Sequence, residues 1–185
     1  EAQQARLAIA NAVSALWRND ECIGAFSEAV ELSPHADDSH SEYLMFLHFA
    51  THPDPHALFE AHRRFGELAA REAAASGRIG FVNKPDTERG LRMRYVSGNF
   101  YRHSVGYFIE PVIARHDRAR YESYCYHTQA FSDDTTGRIA QHASVWREVA
   151  QDDDDALARR IHDDRIDVLV DLSGHTRRNR LRMFA

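Results

Sequence analysis

The sequence predicts an α/β protein, with an α-helical N-terminal segment followed by a Rossmann-like lobe built on a parallel sheet. Three observations carry the prediction. Apolar residues recur at helical spacing through the first 75 positions, strand-like and helix-like segments alternate after Gly90, and IDVLVDL at 166–172 is a near-continuous Val/Ile/Leu run.

The N-terminal elements follow from their punctuation. From Ala5 to Trp17, the residues Leu7, Ile9, Ala10, Val13, Leu16 and Trp17 define a first helix that ends at Asn19-Asp20. A second helix runs from about Glu21 through Phe26 to Leu32, with Ser33-Pro34 as its stop, so the two form a hairpin. Ser39 to Phe49 is dense enough in apolar residues to predict burial on several sides. Asp54-Pro55 is an N-cap with proline at the first helical position, opening a long helix that Ser76-Gly77 closes.

Residues 78–90 change to Gly, Asn, Lys, Pro, Asp and Arg, the composition of a linker. The expected organisation is a hairpin at 1–34, a helical connector at 35–77, the linker at 78–90 and the sheet lobe at 91–185. Within the lobe, strands are expected at Leu91–Ser97, Tyr121–His127, Ser144–Val149 and Ile166–Leu172. Helices are expected at Ser104–His116, Asp133–His142 and Asp153–Asp163. The last strand, a near-continuous Val/Ile/Leu run, should be covered on both faces.

Composition narrows the function. Of 185 residues, 43% are hydrophobic and 28% charged, and the mean hydropathy is −0.55, as in an ordinary globular protein. A formal charge of −5 provides no global basic field for nucleic acid or anionic membrane. Two distant cysteines, Cys22 and Cys125, form neither a disulfide framework nor a thiolate zinc cluster, which predicts a reducing, cytoplasmic setting. No membrane-length apolar run and no export signal are present in the sequence.

Ligands of open parallel sheets bind beyond the carboxyl ends of the strands. That rule selects the loop Ser97–Ser104 after the first strand, with Asn99 and His103, and the loop Ser173–Thr176 after the last, with Gly174, His175 and Thr176. Both should lie on one rim, each near a helix N-terminus that favours an anion. On position alone His103 is either a working imidazole or a histidine at a helix start, and His175 has the same two readings. Neither loop has a dinucleotide or P-loop fingerprint. His48 and His52 lack the acidic partner of a zinc motif, and Asp152–Asp155 reads as helix capping, so no metal site is expected.

Taken in order, LRMRYVSGNFYRHSVGYFIEPVIARHD, YESYCYH and ALARRIHDDRIDVLVDLSGHTRRNRLRMFA resemble the amino-terminal catalytic part of O-linked N-acetylglucosamine transferases and their SPINDLY-type relatives, glycosyltransferase family 41. More loosely, AFSEAVELSP resembles the second helix of a tetratricopeptide repeat, and residues 39–75 resemble the connector ahead of the catalytic region. The resemblance implies a GT-B fold of two Rossmann-like lobes and inverting transfer from a nucleotide sugar, typically UDP-N-acetylglucosamine, without metal. The implied acceptor is a Ser or Thr hydroxyl of a protein.

By the same resemblance, His103 matches the family's base or aligning histidine, Asp164 is the nearest match to an acidic residue considered for proton removal, and Gly174 and Thr176 line the cleft. The family usually has glycine at Arg94 and aspartate at Asn99. It also implies a second catalytic lobe as partner, without which the isolated chain is expected to be inactive. Rival readings are a non-catalytic tetratricopeptide-type peptide-binding module and a small nucleotide-binding protein.

Overall fold

The computed structural model describes residues 1–33, 35, 38–77, 80, 82–86 and 88–185. Pro34, read as a helix stop, and four residues of the 78–90 linker lie outside the described residues. The chain divides into two compact units, Glu1–Arg78 with His175–Arg177 and Ala185, and Ile79–Gly174 with Arg178–Phe184.

The first unit is helical. Helices α1 (Ala2–Ser14) and α2 (Asn19–Glu31) form the expected hairpin, and α3 (Asp38–Leu47) and α4 (Pro55–Ser76) follow. Ala10, Cys22, Ala25 and Phe26 make its core, with Tyr43 and Phe46 of α3 packed against them. The Asp54 carboxylate caps α4 by accepting from the amides of His56 and Ala57, and Pro55 occupies a position where no amide is needed. Two expectations are corrected. Leu16 and Trp17 lie beyond α1 and are exposed, Trp17 in a left-handed turn at φ 57°. In α3 Leu44 is the only large apolar residue fully buried, and Phe49 beyond it is exposed, because one face of a ten-residue helix can meet only its two neighbours.

The second unit contains, among the described residues, a fully parallel sheet of β1 (Leu91–Ser97), β2 (Tyr121–His127), β3 (Val145–Glu148) and β4 (Val168–Asp171) in the order β3-β2-β1-β4. The connecting helices are α5 (Ser104–Ala114), α6 (Asp134–His142) and α7 (Asp154–Asp163). Tyr95 and Cys125 of the sheet pack with Phe100, Ile109, Ile113 and Ile139 on the α5/α6 face. On the opposite face Tyr124 and Tyr126 pack with Val149, Leu157 and Ile161 of the α7 side. This is the doubly wound plan, with helices on both faces.

The strand at 166–172 departs from expectation. β4 lies at the edge of the observed sheet, paired with β1 alone; its residues are at best half-buried and Val168 is exposed. The fully buried strand segments are Arg94–Ser97 and Ser123–His127, whose tyrosines, serines and histidine gave a weaker apolar signal. Among the described residues no helix is long and apolar enough to cross a membrane.

Candidate functional site

The strand order fixes where a site can form. From β1 the chain steps outward through β2 to β3 and then returns across β1 to β4, so the connections reverse direction between β1 and β4. At such a switch point the two carboxyl-end loops part and leave a crevice. The loops here are those after Ser97 and after Asp171.

The first loop is built from its own polar groups. Ser97 Oγ accepts from the Asn99 amide at 2.9 Å, and Ser97 O accepts from the Thr128 amide at 3.0 Å. Asp133 caps α6 in a capping box with Thr136, and its second oxygen accepts from the Arg102 amide at 2.8 Å. Burial pushes the Asp133 carboxyl up, but these hydrogen bonds outweigh it and hold the group below its ordinary value. Phe100 is fully buried against His127 and Trp146. At Gly106 an added Cβ would stand 2.2 Å from Tyr101 O. Helix α5 therefore approaches the loop as closely as backbone can.

His103 closes the loop as the N-cap of α5. Its Nδ1 accepts from the Val105 amide at 3.2 Å, its carbonyl accepts from the Tyr107 amide at 3.0 Å, and its ring lies 5.6 Å from that of Tyr101. An Nδ1 that accepts puts the proton of the neutral ring on Nε2. In this pose the free edge of His103 is a hydrogen-bond donor.

At the second loop, Asp171 Oδ2 accepts from the Gly174 amide at 2.6 Å, while Oδ1 is buried without a hydrogen-bond partner among the described residues. Burial raises the Asp171 carboxyl. Thr128 Oγ1 and His127 Nδ1, at the end of β2, are likewise buried and unpartnered. Unsatisfied buried polar atoms of this kind are uncommon. Composition had no means of marking Asp171, Asp133 or Thr128; the cue available was their place at the end of a strand, just after one, or just before a helix.

The residues singled out in the sequence separate into two groups. Asn99, half-buried, His103 and the exposed Gly174 lie in the two rim loops. Ser97 does not offer its hydroxyl to a ligand: the residue is fully buried and the oxygen serves Asn99. His175 and Thr176 group with the helical unit. The His175 ring packs 5.0 Å from that of His62 and 5.2 Å from that of Phe65, with Nδ1 3.2 Å from Ser41 Oγ. Burial, followed by the nearby His62 and His48, lowers its pKa to about 4. It is a packed neutral imidazole.

Asp164 is not brought to the loop that holds His103. It caps the C-terminus of α7, which has run back to the amino end of the sheet, and its carbonyl accepts from Arg92 at the start of β1. Its carboxylate takes Arg147 Nη2 at 2.8 Å and the Tyr126 hydroxyl. Every strong partner of that carboxylate is structural. Among the described residues no group of three or more His, Cys, Asp or Glu is arranged to hold a metal ion. Within the acidic run, Asp153 caps α7 while Asp152 and Asp154 pair with Arg160 and Arg180.

Comparison with known proteins gives this architecture a family. A plant protein from Petunia hybrida, "Probable UDP-N-acetylglucosamine--peptide N-acetylglucosaminyltransferase SPINDLY", is 30% identical over 160 residues, covering 84% of this chain and 17% of that protein. The like-named Arabidopsis thaliana protein is 30% identical over 155 residues, covering 82% and 17%. A solved structure, a point mutant of the O-GlcNAc transferase of Thermobaculum terrenum, superposes with a TM-score of 0.80 at 34% identity, covering 98% of this chain and 35% of that one. The chain thus spans about a sixth of the plant relatives' length and about a third of the solved chain. The sequence model of Glycosyl transferase family 41 matches residues 67–185, most of the chain and all of its sheet lobe, and the chain belongs to that family.

Proposed function

We propose that this chain forms the acceptor-side part of an inverting protein O-glycosyltransferase that moves N-acetylglucosamine from UDP-N-acetylglucosamine to Ser or Thr hydroxyls. The observation that carries the reading is His103. In a family 41 chain it stands in the loop after β1, beside the β1–β4 reversal; Asp133 holds the preceding Arg102 amide, Gly106 lets α5 close on the loop backbone, and the ring is fixed by its cap on α5.

Its role follows from its tautomer. With Nδ1 engaged by Val105, Nε2–H donates a hydrogen bond that aligns the acceptor hydroxyl with the anomeric carbon; a general-base role would require the ring to leave its cap. Asn99 and the Gly174 backbone flank the same crevice and contact the acceptor side. Asp164, committed to Arg147 and Tyr126, keeps β2, β3 and α7 in register and takes no proton from the acceptor. The donor is held chiefly by a second lobe, as the GT-B plan requires, without metal. The two free, buried cysteines support a reducing, cytoplasmic setting.

The test joins this chain to a second catalytic lobe and measures transfer from UDP-N-acetylglucosamine to a Ser/Thr peptide, with GDP-fucose as the competing donor. His103→Ala should lower kcat/KM by about 10² or more, the scale of lost alignment, and Asp164→Asn should leave turnover per folded molecule unchanged. Full activity in His103→Ala would remove the residue from the mechanism, and transfer from GDP-fucose alone would replace the donor.

A further inference from the structure

The opposite end of the sheet carries a second concavity. It holds about 510 Å³ and is walled by residues 82–84, by residues at and just before the amino ends of β1 and β2, and by Arg165 ahead of β4, all within the sheet unit. Five cations, Lys84, Arg89, Arg92, Arg118 and Arg165, face it with one carboxylate in its wall, Glu122. In a chain whose formal charge is −5, this local excess runs against the whole.

Ion pairing accounts for two of the five. Arg89 is held by Asp167, with Nη1 donating to Oδ2 at 2.6 Å, and Asp86 is near enough to add to that field. Arg92 Nε lies 3.0 Å from Glu122 Oε2, and its Nη1 donates to Asp164 O. Arg118 donates only to a backbone carbonyl, that of His142 at 3.1 Å. Lys84, Arg118 and Arg165 have no carboxylate partner among the described residues. Arg165 is also held in the left-handed region at φ 51°, where Asn83 Nδ2 donates to its carbonyl at 3.1 Å and to that of Ile166 at 3.0 Å. The Asp167 carboxylate fixes the wall by accepting from the Arg92 amide at 2.9 Å. The paired arginines thus set a rigid frame from which three uncompensated cations converge on a cleft of ligand size.

We propose that this cleft is an anion site that binds a phosphate-bearing group, remote from the rim that holds His103. Guanidinium and ammonium donors around one cavity match the several acceptor oxygens and double charge of a phosphate. The group is supplied either by a free phosphorylated small molecule or by a phosphorylated side chain, and one pair of probes separates these sources.

The test is calorimetric titration of the 185-residue chain with inorganic pyrophosphate and, separately, with a phosphoserine peptide and its unphosphorylated counterpart. At least one phosphorylated probe should bind saturably and more weakly as NaCl is raised; pyrophosphate alone indicates a free ligand, and the phosphopeptide alone a modified side chain. Arg118→Gln and Arg165→Gly should each weaken binding about tenfold, and glycine suits the backbone at 165. Lys84→Gln, at an exposed position, should also weaken it and guards against misfolding of the other two, while Arg63→Gln on α4 should change nothing. No saturable binding at millimolar probe, equal binding of the unphosphorylated peptide, or undiminished affinity in Lys84→Gln and Arg118→Gln would overturn the proposal.

Discussion

The Nδ1 of His103 accepts from the backbone amide of Val105 at 3.2 Å, so the residue that marks the rim chemically also starts the helix behind it. One ring has two separable duties. His103→Ala should lose the cap and cost about 1 kcal/mol, whereas His103→Asn, whose amide oxygen can accept from the same N–H, should recover most of that. Because asparagine does not reproduce the Nε2–H edge, it should restore stability in urea unfolding without restoring transfer. Equal stability losses in both variants would mean that the cap is not what the ring contributes.

Gly106 meets the carbonyl oxygens of Tyr101 and Asn99, an added Cβ standing 2.2 and 3.3 Å from them. Backbone oxygen cannot swing aside as a side chain does. Gly106→Ala should therefore force α5 and the His103 loop apart and cost about 2–3 kcal/mol, despite alanine's better helix propensity of about 1 kcal/mol. Gly137, with open space around it in α6, is the contrasting site, where alanine should stabilise. Urea midpoints of the two variants should move in opposite directions.

Arg94 is fully buried on β1 with its guanidinium carbon 3.3 Å from the Tyr126 ring centroid, and none of its three side-chain nitrogens has a hydrogen-bond partner among the described residues. Burial lowers its pKa to about 9. The cation–π contact offers about 2 kcal/mol when desolvated, against a desolvation cost of several kcal/mol for an unpaired ion. The cost wins, and Arg94→Met should raise stability by about 1–3 kcal/mol. Because burial disfavours the charged form, this penalty is full below about pH 9 and shrinks as pH rises above it. A lowered thermal midpoint for Arg94→Met at pH 7 would show that the buried cation is a net support.

What the sequence revealed follows from the range of the forces involved. Asp54-Pro55, Asp153 and Asp133 were readable as helix starts because a cap acts over three residues, and the Tyr-rich strand at 121–127 was readable from its punctuation. Burial of β4 was overestimated because an apolar run reports affinity for a cover, and the edge position of Val168 depends on strand order. Ser97 and Asn99 were readable as part of the turn that follows β1, but the inward placement of the Ser97 hydroxyl, which accepts from the Asn99 amide, is a matter of one torsion. The partners of Asp164 were illegible for a related reason: Tyr126 and Arg147 are 38 and 17 residues away in the chain. The charge excess around Lys84, Arg118 and Arg165 appears only when three strands are laid side by side.

His175 provides the clearest pH dependence. Its ring is packed by His62, Phe65 and Ser41 and is kept neutral, with a pKa of about 4 against an ordinary 6.5. Between those values the unfolded chain binds a proton that the folded one refuses, so the contribution is whole above pH 6.5 and is lost as pH falls towards 4. The full shift corresponds to roughly 3 kcal/mol, and partial exposure of the ring reduces this to about 1–2 kcal/mol. His175→Phe keeps an aromatic body beside Phe65 and removes the titration. Urea midpoints at pH 7, 5.5 and 4 should therefore fall less steeply in His175→Phe than in the parent; parallel slopes would assign the acid sensitivity to other groups, with His62 and His48 the next to substitute.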